Sequence, residues 1–221
     1  MIIVIDGPAG SGKSSTAKKI AELLDIQYLD SGALYRALTF LWLRTNSSNL
    51  LSFFENLPQV KLETEYRNRT FHIKVNGQEI TKDIRSQEVA NHVSEIASHP
   101  EARSYVNQYM RKLVKRDTYI ADGRDLGTAV FPDADLKFYM DASIEERAKR
   151  RYRELLDVDP EISLEDVRKN LSDRDFKDSN RRTDPLRKSE DAILIDTTGK
   201  TFEEQIKEMI DIIREKLKLK Q

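Results

Sequence analysis

The chain contains no cysteine, which removes disulfide scaffolds, thiol nucleophiles and cysteine-ligated zinc together. Any metal must therefore be held by oxygen. Histidine is scarce, and none of the three (His72, His92 and His99) falls in a motif, so all three read as structural. Long apolar runs are also missing. The longest mainly apolar stretch, residues 37–43, is far below the roughly 20 residues that a membrane-spanning helix needs. The N-terminal Met1-Ile-Ile-Val-Ile-Asp6 has no basic segment and reaches an acid at once, unlike a secretory signal. The expectation is a cytoplasmic protein. Neither sign of charge dominates, with 37 basic and 38 acidic residues, so the whole molecule makes no long-range field for nucleic acid or an anionic membrane. Anion recognition must come from local clusters. Charge itself is plentiful, at 34% of 221 residues against about 25% in ordinary domains. The length suits one compact domain with insertions.

Five short apolar, largely β-branched runs occupy residues 2–5, 26–29, 119–121, 136–140 and 192–195, most of them separated by helical patterns. Continuous apolar runs are how parallel strands covered on both faces read. Helices between them imply right-handed crossovers and an α/β sheet. The last helix carries Phe202, Ile206, Met209, Ile210, Ile213 and Leu217 on one stripe behind a Thr201 N-cap. Residues 58–99 break the pattern. Residues 60–62 and 70–75 alternate, and Asn76-Gly77 leads into residues 78–81, which predicts an antiparallel hairpin, followed by a helix over 86–97. Pro100 then opens another helix. No internal repeat or low-complexity stretch occurs.

Gly7-Pro-Ala-Gly-Ser-Gly-Lys13-Ser14 fits G-x-x-x-x-G-K-[ST], directly after the first strand and at the start of a helix. In such a loop, backbone N–H groups turn inward around a phosphate and the helix N-terminus adds positive charge. Lys13 would bridge the β- and γ-phosphates, and Ser14 would offer a hydroxyl to magnesium. The loop specifies nucleotide phosphate but not the reaction. The base-reading Asn-Lys-x-Asp of a GTPase is absent, and Asp196-Thr-Thr-Gly199 reads as a strand-end turn. Motor and transporter ATPases normally carry more chain, which leaves a small phosphotransferase.

Phosphoryl transfer gathers negative charge, so its catalysis is mainly positioning and clamping by arginine, lysine and magnesium. Arg36 follows the second strand, with Ser31 as the expected N-cap of its helix. Arg124 and Asp125 follow the third strand, at the carboxyl edge where open α/β sheets bind ligands. Arg147 shares a helix face with Arg150 and with Arg151 after the fourth strand, and Arg174, Asp178 and Arg181 recur at helical spacing. Arg151 and Arg182 read as solvated surface arginines.

Five segments, Ile5-Asp-Gly-Pro-Ala-Gly-Ser-Gly-Lys-Ser14, Leu29-Asp-Ser-Gly-Ala-Leu-Tyr-Arg36, Ile84-Arg-Ser-Gln-Glu-Val-Ala-Asn91, Ala121-Asp-Gly-Arg-Asp-Leu-Gly-Thr128 and Arg174-Asp-x-x-Asp178-x-Asn-Arg181, together resemble the bacterial cytidylate kinases. These belong to the nucleoside monophosphate kinase group of P-loop kinases, and the resemblance covers essentially the whole chain. It implies an α/β fold with a five-stranded parallel sheet in the order 2-3-1-4-5, a small antiparallel insertion and a short mobile lid. Within a single domain over 1–221, it places monophosphate-binding helices at 31–57 and 100–116, the insertion at 58–99 and the lid at 147–165. It implies that Gly7, Pro8, Ala9, Gly10, Ser11, Gly12, Lys13, Ser14 and Ser15 bind ATP. Ser94, Arg103 and Asp125 would read cytosine, and Arg36, Arg124 and Arg181 would hold the acceptor phosphate beside Ser31. Asp178 and Arg174 would meet the sugar, and Arg147 and Arg150 would be lid arginines acting in catalysis with Lys13. Mg2+ would be met by Ser14 and, through water, by Asp122. The implied partners are ATP and CMP or dCMP, with no nucleic acid or membrane, for a monomer. Two alternatives stay open: a small kinase acting on UMP or a non-nucleotide acceptor, and a nucleotide-binding regulatory module.

Overall fold

The computed structural model describes residues 1–45, 49–115, 117–157 and 159–217. In chain order, β1 (Ile2–Asp6) leads to α1 (Lys13–Leu24), β2 (Gln27–Asp30), α2 (Ser31–Arg44) and α3 (Leu50–Asn56). Three short strands follow, β3 (Leu62–Arg67), β4 (Thr70–Val75) and β5 (Gln78–Glu79), then α4 (Gln87–Ile96) and α5 (Pro100–Leu113). The chain continues through β6 (Tyr119–Asp122), β7 (Leu136–Asp141), α6 (Ile144–Leu156), α7 (Leu164–Asn180), β8 (Ile193–Asp196) and α8 (Phe202–Leu217). Four of the segment boundaries expected from the sequence include residues outside this description: 46–48 in 31–57, Arg116 in 100–116, Val158 in 147–165 and 218–221 at the end of the chain.

The five apolar runs become one sheet in the order β2-β6-β1-β7-β8, all of whose pairings are parallel. Counting these strands alone, the order is the expected 2-3-1-4-5. Ile3 lies opposite both Ile120 and Leu136, so β1 is central. Ile3, Val4, Ile5, Ile120 and Phe138 are completely buried, because helices cover both faces and leave no polar side of the sheet. The apolar stripe of α8 contributes Ile206, Met209, Ile210 and Ile213 to this core, and the Thr201 hydroxyl accepts from Glu204 N at 3.2 Å as its cap. Phe202 departs from that stripe and stays 40% exposed.

The insertion is a three-stranded meander rather than one hairpin. Asn76 and Gly77 turn β4 into β5 with φ of 50° and 82°, the pair of positive values that a tight two-residue hairpin turn requires. A second such turn, at Asn68 and Arg69, joins β3 to β4. It was hidden because Arg69 carries no turn signal and β3, Leu-Glu-Thr-Glu-Tyr-Arg, alternates with few apolar residues. Phe71, Ile73, Ile84 and Ile96 from this segment join the same apolar core as Ile3 and Phe138.

One local expectation is corrected. The N-cap of α2 is Asp30, whose Oδ1 accepts from Ala33 N at 2.8 Å. Ser31 is instead the first helical residue, and its hydroxyl donates to Asp122 O at 2.6 Å. The expected lid segment falls on the body of α6, the connection after it and the start of α7. These two helices pack as a pair on a small separate cluster of Ala9, Ala148, Val167 and Leu171. Among the described residues, no helix is long and apolar enough to cross a membrane.

Candidate active site

The loop between β1 and α1 is shaped by two glycines. Gly7 has φ 148°, and a Cβ there would lie 2.0 Å from the Met140 carbonyl oxygen. Gly12, at φ 90°, is the N-cap of α1, a left-handed conformation that costs a side-chain-bearing residue free energy. Inside the loop Lys13 Nζ donates to Pro8 O at 2.6 Å and to Ser11 Oγ at 3.2 Å. Burial, joined by the positive charge of Arg124, lowers the Lys13 pKa well below its ordinary value, against the pull of Asp122, Asp6 and Asp175. A buried ammonium of this kind gains from an anion placed beside it.

Every strand of the parallel sheet ends in aspartate at its carboxyl edge: Asp6, Asp30, Asp122, Asp141 and Asp196. Each organises the loop that follows or one beside it. Asp6 accepts from Leu126 N at 2.9 Å and Gly127 N at 2.7 Å. These contacts fix the π-type turn Leu126–Val130 just beyond Arg124 and Asp125, and Arg111 donates to Ala129 O and Val130 O at its other end. Burial raises the Asp6 pKa to about 6, against those two hydrogen bonds. Asp30 caps α2 with one oxygen and pairs with Arg85 at 2.7 Å through the other. Asp122 accepts from Ser14 Oγ at 2.7 Å and from the Tyr28 hydroxyl at 2.6 Å. Burial, then the nearby Asp30, raises its pKa.

Two chambers open along this edge. The first, about 520 Å³, is lined by Ala9, Gly10 and Gly12 to Ser15 of the phosphate loop together with Arg150, Arg151, Lys200, Phe202 and Gln205. The second, about 180 Å³, is lined by Ser31, Ser94, Asp122, Asp125, Asp178 and Arg181 among others. Their common wall consists of Ser14, Arg36, Arg124 and Arg174. Three guanidiniums thus border both spaces. Arg36 has no ion pair among the described residues and makes one long hydrogen bond, 3.5 Å to Ile84 O. Burial, followed by the repulsion of Arg174 and Arg85, lowers its pKa to about 10. Arg174 keeps a buried Nε without a partner, and burial followed by Arg124 lowers its pKa. Desolvated cations short of counterions make a site for an anion with several oxygens. Arg124 is partly spent, donating from Nε to Asp178 Oδ2 at 3.0 Å.

The deep end of the second chamber is a charge network. Asp125 Oδ1 accepts from Arg181 Nη2 at 2.7 Å, and Asp125 Oδ2 accepts from Arg103 Nη2. Burial raises the Asp125 pKa, against the stabilising charges of these two arginines. Arg181 was expected beside a phosphate with Arg36 and Arg124, but its guanidinium here grips Asp125 and Asp184 O. Ser94, on α4, lines the same chamber.

Arg147 is placed differently from a lid arginine that reaches over an open site. It is buried, donating to Ala142 O at 3.0 Å and Ala9 O at 2.9 Å and pairing with Asp175. Asp175 in turn accepts from Ala9 N at 3.0 Å. The pair therefore holds the phosphate loop by both polar groups of Ala9. Arg150 does border the first chamber, with its guanidinium parked on Thr197 O at 2.7 Å and Thr197 Oγ1 at 3.0 Å. Arg151, read as a surface residue, lines that chamber too, whereas Arg182 is exposed. Sequence reasoning missed Asp6, Asp175 and Asp184. The first had a signal, since an aspartate follows the apolar run of every parallel strand.

Ser14 and Asp122 suit magnesium in kind. They are hard oxygen donors at hydrogen-bond distance beside the phosphate loop, and Mg2+ characteristically takes one or two protein oxygens together with phosphates and water. No cluster of three or more acidic or histidine ligands exists among the described residues.

A parallel sheet in this order, a glycine loop into α1 and arginines between two chambers define a P-loop kinase. The likeness extends to solved structures. A shikimate kinase from Bacteroides thetaiotaomicron superposes with a TM-score of 0.50 at 11% identity over 99% of each chain. An uncharacterized protein from Eubacterium ventriosum does so with a TM-score of 0.55 at 14% identity, over 97% of this chain and 98% of that one. At such identities the likeness is one of fold. The cytidylate kinase family model matches residues 3–215. A cytidylate kinase of Carboxydothermus hydrogenoformans is 41% identical over 220 residues, 98% of both chains. Another, of Caldanaerobacter subterraneus subsp. tengcongensis, is 41% identical over 216 residues, 98% of this chain and 96% of that one. The chain belongs to the cytidylate kinase family.

Proposed function

We propose that this protein transfers the γ-phosphoryl group of ATP, held with Mg2+, directly to the phosphate of CMP or dCMP, giving ADP and CDP or dCDP. The observation that carries this reading is the common wall of Arg36, Arg124, Arg174 and Ser14 between the two chambers. Phosphoryl transfer needs donor and acceptor phosphates in line, with fixed positive charge between them. In this reading Lys13 and the loop amides from Gly10 to Ser15 cradle the donor phosphates. Ser14 and Asp122 would hold magnesium, which would supply charge neutralisation to the donor phosphates. Arg36 and Arg124 take the acceptor phosphate, with Arg181 joining from its place on Asp125 and Asp184. Asp178 and Arg174 meet the ribose. The acceptor phosphate is already an anion near neutral pH, so the reaction requires no general base. No histidine lines either chamber among the described residues.

For the base, cytosine offers an amino donor to Asp125 and ring acceptors to Arg103 and Ser94. Uracil would turn a carbonyl toward Asp125 and leave a buried polar pair unmatched, which supports strong rejection. Arg147 and Asp175 shape the phosphate loop, and Arg150 exchanges Thr197 for phosphate as the α6–α7 pair closes as a lid. Closure excludes water that would otherwise hydrolyse ATP. The same reading makes the protein a cytoplasmic monomer. Coupled ADP production with MgATP and each of CMP, dCMP, UMP, AMP and GMP, beside a control without acceptor, tests it. Turnover confined to CMP and dCMP is expected. Equal turnover of UMP removes the base assignment, and ATP turnover without acceptor removes the kinase reading.

A further inference from the structure

Arg103 is only 1% exposed, and a buried guanidinium must have its charge and donors matched. It donates to Asp125 Oδ2 from Nη2, to Ala97 O at 3.2 Å from Nη1 and to Asp184 Oδ2 at 2.8 Å from Nε. Asp184 also presents its main-chain carbonyl to Arg181, which donates from Nε at 2.7 Å and from Nη2. Asp184, four positions beyond the end of α7, therefore touches both arginines that hold Asp125. We propose that Asp184 is a positioning residue for base recognition, fixing through its carboxylate and its carbonyl the two guanidiniums that present Asp125 to the substrate base. This rests on the reading of Asp125 given above.

The physical reason is charge sharing. With Asp184 in place, two guanidiniums face two carboxylates, and each oxygen of Asp125 accepts from one arginine. A carboxylate has about four acceptor positions, so room remains for an amino group of the base. Without the Asp184 carboxylate, Arg103 has Asp125 as its only carboxylate partner and turns further onto it. The lone pairs that would meet the base are then occupied and the ring-facing edge of Arg103 rotates away. Asp184 touches no reacting atom, so its effect falls on the acceptor side of the enzyme.

The backbone dictates the variants. Asp184 has φ 49°, which Asn and Gly accept but Ala resists. The turn is also closed by Leu186 N donating to Asp178 O at 2.8 Å, independently of the Asp184 side chain. Steady-state kinetics of Asp184→Gly are expected to show a KM for CMP about tenfold higher and a CMP-over-UMP preference about tenfold lower, as for loss of a charged hydrogen bond. The KM for ATP should stay within about twofold. Asp184→Asn, whose amide oxygen can still accept from Arg103 Nε, should recover most of the loss, to about a threefold rise in KM for CMP. An unchanged KM for CMP in Asp184→Gly overturns the inference, as does a parallel rise in both KM values with a lowered thermal midpoint. Should the glycine variant not fold, the asparagine variant decides by the same split. A wild-type enzyme that ignores CMP ends both readings, whereas a wild-type CMP kinase with an unaltered glycine variant ends this one alone.

Discussion

The phosphate loop lies between two supports of different character. On one side are β1, β6 and β7, where Ile3, Ile5, Ile120, Phe138 and Met140 are completely buried in the main core. On the other is the α6–α7 pair, whose smaller apolar cluster sets Ala148, Val167 and Leu171 against Ala9 of the loop, with Ile144, Tyr152, Leu155 and Ile162 partly buried around them. Polar contacts supply the rest of its hold on the molecule: Arg147 and Asp175 on the backbone of Ala9, Arg150 on Thr197, Asp178 on Arg124, and Arg181 on Asp125. Dense apolar packing is indifferent to ligands and resists displacement. Ion pairs between arginine and carboxylate can instead be exchanged for pairs between arginine and phosphate. The side of the site that must stay in place is packed with hydrocarbon, and the side that must respond to substrate is held by groups the substrate can compete for.

The largest expected effect comes from the wall between the chambers. Arg36→Ala should lower kcat/KM by about 10³-fold, the scale of losing a charge-stabilising contact to the transferring group. Its thermal midpoint should hardly move, because Arg36 has no ion pair to lose among the described residues. Kinetics and a melting curve on the same preparation decide, and near-normal turnover would remove Arg36 from the clamp. The two supports themselves can be set against each other. Phe138→Ala should cost about 3 to 5 kcal/mol of global stability, and Leu171→Ala about 2 to 3 kcal/mol. Hydrogen exchange separates them: Leu171→Ala should expose amides of α6 and α7 while β1 and β7 keep their protection. Uniform loss of protection in both variants would mean that the two regions are one cooperative unit.

A pH dependence is also written into the rigid side. The Asp6 pKa rises from the usual 3.8 to about 6 on folding, chiefly by burial. Between these values the folded state binds more proton than the unfolded state, so the stability Asp6 confers is greatest below the unfolded pKa and falls as pH rises toward 6. The loss amounts to about 3 kcal/mol. Denaturant titrations of the wild type and Asp6→Asn at intervals from pH 3 to pH 7 should show the wild type losing ground to the variant by that amount. A constant difference between the two would show that Asp6 titrates normally.

Much of the rigid side was legible along the chain. Each apolar run became a strand, the glycine loop formed at its predicted place, and Thr201 capped α8, because each depends on residues a few positions apart. The strand order was available only through the resemblance to a family. Where local signals were weak the reading fell short: Asn68-Arg69 turns without glycine, and β3 alternates Glu and Thr where apolar residues would have marked it. Asp30 displaced Ser31 as the cap of α2 because both are capping residues, and only the path of the chain decides which one precedes the helix.

The responsive side was legible as a set of arginines but not as a set of partners. Sequence spacing put Arg147 and Arg150 on one face of a helix, yet folding buried the first against Ala9, 138 positions away, and left the second at the chamber wall. It likewise joined Arg103 to Asp184 across 81 positions and Arg181 to Asp125 across 56. The sequence by itself determined which segments are strands, where phosphate can be cradled and that arginines crowd the same edge, since backbone geometry and hydrophobic periodicity are local. Only the tertiary structure decided which of those cations are neutralised by carboxylates and which are left for a ligand. A guanidinium's partner is whatever folding brings within 3 Å of it, and no spacing along the chain encodes that distance.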